Sequence, residues 1–172
     1  MKPLRNHIQT RTRTFLSALA IALTAQLGWT SPASAAEVAT EHFKIELPDH
    51  FVVETDHISR ILGFSSAGPQ APPFLSIEFS TQMPWSQVLE SIQHTTSQHD
   101  ASVVEAVCEP PCTAAFHTWF SERIGDLETR THFYVGLRGD LVFVISYVDH
   151  AANDAASGFV TDLAEQILQY RE

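Results

Sequence analysis

The segment FYVGLRGDLVFVI, residues 133–145, says most about the architecture of this 172-residue chain. Two runs of apolar and β-branched residues flank Gly139-Asp140, and such a dipeptide between two such runs predicts a tight two-residue hairpin. The second run continues to Tyr147 and is apolar on both of its alternating sides. A strand of that kind is covered on both faces, so we expect it near the centre of a sheet.

Further strands and two helices are predicted around this hairpin. Apolar runs or alternation predict strands at residues 43–47, 51–53, 61–64, 74–79, 102–107 and 114–120. Apolar residues at helical spacing predict one helix after Pro84 and a second over residues 155–170. Runs of strands separated by single helices predict an α+β fold, in which helices flank an antiparallel sheet.

The first 35 residues predict a secretory signal peptide. Basic residues, among them Lys2 and Arg5, precede an apolar run, and Ala33-Ser34-Ala35 forms a small-x-small cleavage site. The apolar run of 15 residues is shorter than the ~20 that a membrane-spanning helix needs. We therefore expect the general secretory route to export residues 36–172 to the periplasm, as one domain not inserted in the membrane.

Removal of this leader makes the domain strongly acidic. The whole chain has 10 basic and 20 acidic residues. Four of the basic residues and none of the acidic ones lie in the leader, which leaves 6 against 20 and a net charge of −14. Such a surface repels phosphate backbones and anionic lipids, which argues against nucleic-acid and membrane-surface roles. A basic protein partner fits this charge.

Cys108 and Cys112 are the two cysteines of the chain. In an exported protein such a pair predicts a disulfide, and closing so small a ring contributes about 2 kcal/mol at most. The alternative is a copper or redox role, since His117 follows five residues later. A soft-metal carrier favours several thioether ligands, whereas Met83 is the single methionine beyond the leader.

Strand pairing predicts a sheet face that mixes aromatic and polar groups. If residues 114–120 and 129–137 pair about a turn at 123–126, with Phe116 opposite Phe133, then His117 lies opposite His132. The hairpin through residues 139–140 then places Tyr147 beside His132. One face would hold His117, Trp119, Arg130, His132, Tyr134, Phe143 and Tyr147. Such a mixture suits partner or ligand recognition; the alternative is that a helix covers it and the aromatics are core.

Catalytic and metal-binding motifs are missing from the sequence. No H-x-H, H-x3-H or H-E-x2-H spacing occurs, and the near match to G-x-S-x-G at residues 63–67 ends in Ala67. With seven glycines in all, the chain also has no Gly-rich phosphate loop. The sequence therefore predicts a protein that is not an enzyme and uses no cofactor.

Several segments together resemble the PsbP/DcrB-like superfamily. These are FKIELP at residues 43–48, the helix after Pro84, the hairpin of residues 133–145 and the amphipathic terminal helix. The resemblance implies an α/β/α sandwich whose members mostly bind proteins, including a nuclear-import factor that binds a small GTPase. Bacterial members are often lipoproteins, and this chain has no cysteine at the cleavage site to carry a lipid.

Three functions remain open at this stage. The leading one is a non-enzymatic periplasmic accessory protein that recognises a protein partner through the sheet face or its rim. A narrower one is an immunity protein that neutralises a toxic hydrolase, since negative charge steers a basic partner quickly. The third is a copper or other metal binder built on the histidine and tyrosine face.

Overall fold

The computed structural model describes residues 36–68, 71–99, 101–104 and 112–171. The predicted signal peptide and Cys108 lie outside these residues, so the leader and the disulfide stay predictions. The described elements are β1 (Ala36–Ala39), β2 (Lys44–Leu47), β3 (Phe51–Thr55), β4 (Arg60–Ser65), β5 (Phe74–Ser80), α1 (Trp85–Thr96), β6 (Ser102–Val104), β7 (Cys112–Ile124), β8 (Leu127–Arg138), β9 (Leu141–His150) and α2 (Ala156–Gln169).

Seven of the strands form one antiparallel sheet in the order β3-β4-β5-β9-β8-β7-β6. β9 occupies the middle position, as its two apolar sides predict. β1 and β2 pair with each other in a separate two-stranded sheet. The predicted α+β fold with an antiparallel sheet is therefore confirmed. β1 was not predicted, because its four residues show no clear alternation.

The two helices pack on opposite faces of the large sheet. On one face, α2 buries an apolar stripe that includes Val160, Leu163 and Ile167 in the main core, which also holds Phe143 of β9. On the other face, Val88 of α1 contributes to a smaller core with partners from β8 and β9. Burying each such side chain contributes roughly 1.5–3 kcal/mol. This arrangement confirms the predicted helix–sheet–helix layering.

The two long hairpins turn at the same dipeptide. Gly139 has φ +61° in the β8–β9 turn, and Gly125 has φ +63° in the β7–β8 turn. Both values favour glycine, because other residues avoid this left-handed region. The β8–β9 turn is the predicted one, and Arg138 lies opposite Leu141.

The predicted register of β7 on β8 is wrong by two residues. The turn is centred on residues 125–126, so His117 lies opposite Tyr134 and Trp119 lies opposite His132. Phe116 and Phe133, and likewise His117 and His132, are therefore diagonal neighbours and do not lie directly opposite each other as predicted. Because a shift of two residues preserves the side on which each side chain lies, the predicted composition of the face is unchanged. None of the helices in the described residues is long and apolar enough to span a bilayer.

Candidate functional site

The predicted mixed face exists and lies on the α2 side of the sheet. Its members occupy alternate positions of three adjacent strands, so the pleat directs them to the same side. They are His117 and Trp119 on β7, Arg130, His132 and Tyr134 on β8, and Phe143 and Tyr147 on β9.

Most of this face is buried, which corrects its predicted role as a recognition surface. His117, His132, Tyr134 and Tyr147 are 3%, 1%, 2% and 4% exposed. Tyr134 and Tyr147 belong to the core that α2 covers. These four side chains therefore do not contact a partner in this conformation.

His117 and His132 form a buried hydrogen-bonded pair. Nε2 of His117 lies 3.3 Å from Nδ1 of His132, so one imidazole donates and the other accepts. Burial lowers the pKa of both, and that of His132 to about 4, with further lowering from the positive charges of His117 and Arg130. Both histidines are therefore neutral at pH 7. Nε2 of His132 is buried and has no hydrogen-bond partner among the described residues.

Trp119 and Arg130 form the rim of this face. Cζ of Arg130 lies 4.7 Å from the centre of the Trp119 ring, a cation–π contact. Oδ1 of Asp154 lies 3.8 Å from Nη1 of Arg130, and the Asp154 side chain is 97% exposed. Nε of Arg130 is buried and unpartnered within the described residues. Both rim residues are half-buried, whereas the neighbouring histidine pair is buried.

Asp149 belongs to the site although sequence reasoning missed it. It is buried, and its Oδ2 accepts hydrogen bonds from the Tyr147 hydroxyl at 2.7 Å and from Nδ2 of Asn153 at 2.6 Å. Its Oδ1 accepts from the backbone N–H of His150 at 2.7 Å. Burial raises the pKa of Tyr147, and the bond to Asp149 raises it further. Extending the alternation from Phe143 through Tyr147 would have placed Asp149 on this face.

The far end of the β7–β8 hairpin projects beyond its neighbours. β9 ends at His150, opposite Thr129, and described β6 pairs with β7 no further than Trp119. The tip carries Ile124 and Leu127, directly opposite each other and 46% and 41% exposed. Sequence reasoning missed this surface because it placed the turn one residue too early.

Comparison with solved structures shows the fold. No protein-family model matches the chain, and no curated protein sequence matches it significantly. The cyanobacterial PsbP protein CyanoP of Synechocystis sp. PCC 6803 superimposes with a TM-score of 0.54, covering 83% of this chain and 96% of CyanoP at 10% identity. This chain has the PsbP-like fold. At that identity the likeness shows the fold alone.

Two further solved structures resemble it more weakly. The Ran-binding protein Mog1p of Saccharomyces cerevisiae gives a TM-score of 0.46 at 12% identity, covering 80% of this chain and 92% of Mog1p. PA94 of Pseudomonas aeruginosa, described as a protein of unknown function and putative regulator, gives 0.45 at 12% identity, covering 80% of this chain and 98% of PA94.

The described residues of this PsbP-like chain bring few reactive groups together. No group of three or more His, Cys, Asp or Glu among them could hold a metal ion. The buried histidine pair supplies two imidazoles, and the nearby Asp149 is occupied by its three hydrogen-bond donors. The arrangement is therefore a buried polar cluster that contains two titratable imidazoles.

Proposed function

We propose that this chain is an exported, non-enzymatic accessory protein that binds a protein partner outside the cytoplasm through the tip of its β7–β8 hairpin. The observation that carries the proposal is the exposed pair of Ile124 and Leu127 on a projecting two-stranded ribbon. The predicted signal peptide supports the location. The resemblance to the PsbP/DcrB-like superfamily, whose members mostly bind proteins, supports the class of function.

The hairpin tip suits recognition for a physical reason. Ile124 and Leu127 face each other across the Gly125-Asp126 turn, so their side chains form one small apolar patch on one side of the ribbon. The paired strands behind the tip hold the patch in place, which limits the conformational entropy lost on binding. Apolar side chains presented on a rigid element make effective anchors in a partner's pocket.

Charge at the tip indicates the chemistry of the partner. Glu122, Asp126 and Glu128 lie within the tip, and Arg123 forms an ion pair with Glu128. The local charge is therefore negative, in keeping with the acidic domain. A partner with a basic surface around an apolar pocket would complement it, and such complementarity mainly raises the association rate. A toxic hydrolase with a basic surface, neutralised by this chain, is the narrower form of this proposal.

The test compares two matched surface substitutions. Leu127→Asp places a charge in the tip, whereas Ile58→Asp places the same charge on another apolar side chain, 72% exposed in the β3–β4 turn. Immobilised chain captures partners from a periplasmic extract of the source cells, mass spectrometry identifies them, and calorimetry with the purified partner gives the Kd. We expect Leu127→Asp to weaken binding at least about tenfold, as for an interface anchor, and Ile58→Asp to leave it unchanged.

Salt gives an independent readout. Raising the ionic strength from about 0.05 to 0.5 M should slow association with a basic partner, because screening removes the steering. The proposal is contradicted by a purified partner that binds both variants equally, or by one whose association rate does not depend on ionic strength.

A further inference from the structure

The buried histidine pair contains an uncompensated polar atom. Two buried atoms have no hydrogen-bond partner in the described residues: Nε2 of His132 and Nε of Arg130. Arg130 lies two residues before His132, on the same side of β8. Buried polar atoms are nearly always paired, so each exception needs an explanation. Both atoms would gain partners if water reached them.

Trp119 lies beside both of these residues. Its ring lies 4.7 Å from Cζ of Arg130 and 6.3 Å, centre to centre, from the ring of His132. Trp119 and Arg130 are also the half-exposed members of the face. A rotation of these two side chains would admit water to the pair without breaking the β7–β8 backbone ladder.

Among the charged groups that face the pair, those on its own strands oppose its protonation and one on β9 favours it. On the pair's own strands, each histidine would repel the other at 3.3 Å, and Arg130 adds a third positive charge. From β9, Asp149 attracts a proton to His132, but its oxygens already accept three hydrogen bonds.

The groups on the α2 side do not offset this charge. Glu165 acts electrostatically on Tyr134, and Asp154 is almost fully exposed at 3.8 Å from Arg130. Tyr134 and Tyr147 stay neutral in this range, since burial raises the pKa of both. A positively charged pair would therefore need water.

We propose that Trp119 and Arg130 form a lid over the His117–His132 pair, and that this lid opens in mildly acidic solution to hydrate the protonated imidazoles. The closed state favours the neutral pair and the open state favours the charged pair. The lid is therefore closed above the ordinary histidine pKa and opens progressively as the pH falls below it.

The size of the effect follows from proton linkage. The pKa of His132 is about 4 in the closed state, against 6.5 for a histidine in water. The equilibrium constant for opening should then rise roughly 30-fold between pH 8 and pH 5 from His132 alone. His117, whose pKa burial also lowers, adds to this factor.

The lid lies on the same hairpin as the proposed partner-binding tip, on its opposite side. Opening would expose the indole of Trp119, an aromatic side chain of the kind enriched at interface anchors. The regulatory consequence, acid-dependent partner binding, rests on the proposed function. The lid itself does not, because its test needs no partner.

The experiment follows the solvent exposure of Trp119. The chain has three tryptophans, so Trp29→Phe with Trp85→Phe leaves Trp119 as the single tryptophan. Acrylamide quenching is measured from pH 8 to pH 4.5, and far-UV circular dichroism at each pH reports global folding. We expect the quenching constant to rise at least twofold while the circular dichroism stays constant.

Two histidine variants make the assignment specific. In the same background, His117→Gln removes one titrating ring and should reduce the acid-induced rise by at least half. His94→Gln removes an exposed histidine from the last turn of α1 and should leave the rise unchanged. If the first variant fails to fold, NMR of the ring nitrogens in the parent chain follows the pair directly and should show both imidazoles titrating well below 6.5.

A flat quenching constant down to pH 4.5 overturns the lid, as does a rise that coincides with loss of circular dichroism. Ring nitrogens that titrate near 6.5 overturn it as well. Any of these results leaves the proposed partner binding standing. Partner binding that Leu127→Asp leaves unchanged would contradict the proposed function and leave the lid intact.

Discussion

Nη1 of Arg138 donates a hydrogen bond to the carbonyl oxygen of Ile167 at 2.5 Å, which joins the end of β8 to the last turn of α2. The same nitrogen also donates to the carbonyl of Tyr170 at 3.0 Å, and Nη2 donates to the carbonyl of His42 at 2.5 Å. One guanidinium thus satisfies carbonyls at the helix terminus and at the segment before β2. Its positive charge also complements the negative end of the helix dipole.

Replacing Arg138 should therefore loosen α2 and β2 together. We expect Arg138→Ala to lower the free energy of unfolding by about 2–4 kcal/mol, since several bonds to a charged donor are lost. Arg138→Lys keeps the charge but not the planar fork, so it should recover less than half of this. Urea denaturation measures both, with the exposed Arg60→Ala as control. A lysine variant as stable as the parent chain would show that charge alone accounts for the effect.

Local patterns were sufficient to predict the β8–β9 hairpin, both helices and the membership of the mixed face. The Gly139-Asp140 turn fixes which residues pair, and the period of two fixes the side on which each side chain lies. The apolar spacing of α2 likewise shows which of its sides is buried. Each of these properties depends on residues close together in the sequence.

Properties that depend on distant segments were not predictable in this way. Whether α2 covers Tyr134 and Tyr147 depends on how the last helix docks, which no spacing within β8 or β9 specifies. The register of β7 was predictable in principle, since Gly125-Asp126 repeats the dipeptide of the other turn, but the apolar pattern of both strands ends before that turn. The pairing of β1 with β2 left only a weak signal in its four residues.

Gly136 should resist enlargement because the ring of Phe143 lies against it. A Cβ added at this position would lie far inside van der Waals distance of Cζ and Cε1 of that ring. We expect Gly136→Ala to lower the free energy of unfolding by about 1–3 kcal/mol through overpacking. Adding Phe143→Leu, which removes the clashing atoms, should make the alanine less costly than it is alone.

Gly158 offers the matched control for that substitution. It lies in α2, and a Cβ added there would meet no neighbouring atom within 4 Å outside the helix's own backbone. Alanine is also a better helix former than glycine by about 0.8–1.0 kcal/mol. Gly158→Ala should therefore raise the midpoint of urea denaturation while Gly136→Ala lowers it. Equal effects of the two substitutions would argue against the close approach at Phe143.

Global stability should fall on acidification through the histidine pair. The pKa of His117 and of His132 is lower in the folded than in the unfolded chain, so the unfolded chain binds more protons as the pH falls below 6.5. Their contribution is complete above that value and declines towards pH 4. Unfolding free energies measured by urea at half-unit steps from pH 7.5 to 4.5 should show this decline. His117→Gln should flatten it, whereas His94→Gln should not.

Asp149 is expected to be the most sensitive polar position on the covered face. Its Oδ2 accepts from both Tyr147 and Asn153, so an amide at this position keeps one acceptor oxygen and directs N–H groups towards existing donors. Asp149→Asn should lower the free energy of unfolding by about 2–3 kcal/mol, as expected for bonds to a buried charge. Tyr147→Phe removes a single donor and should cost less.

The double-mutant cycle between these positions separates their interaction from general damage to the core. If Tyr147 and Asp149 interact directly, the combined variant should be less destabilised than the sum of the two single variants, by about 0.5–3 kcal/mol. Thr161→Val, on α2 and hydrogen-bonded to Ser157, serves as an unrelated control and should add to Asp149→Asn without coupling. Strict additivity of Asp149→Asn with Tyr147→Phe would mean that the hydroxyl and the carboxylate contribute independently, and that Asp149 acts chiefly on Asn153 and the segment leading into α2.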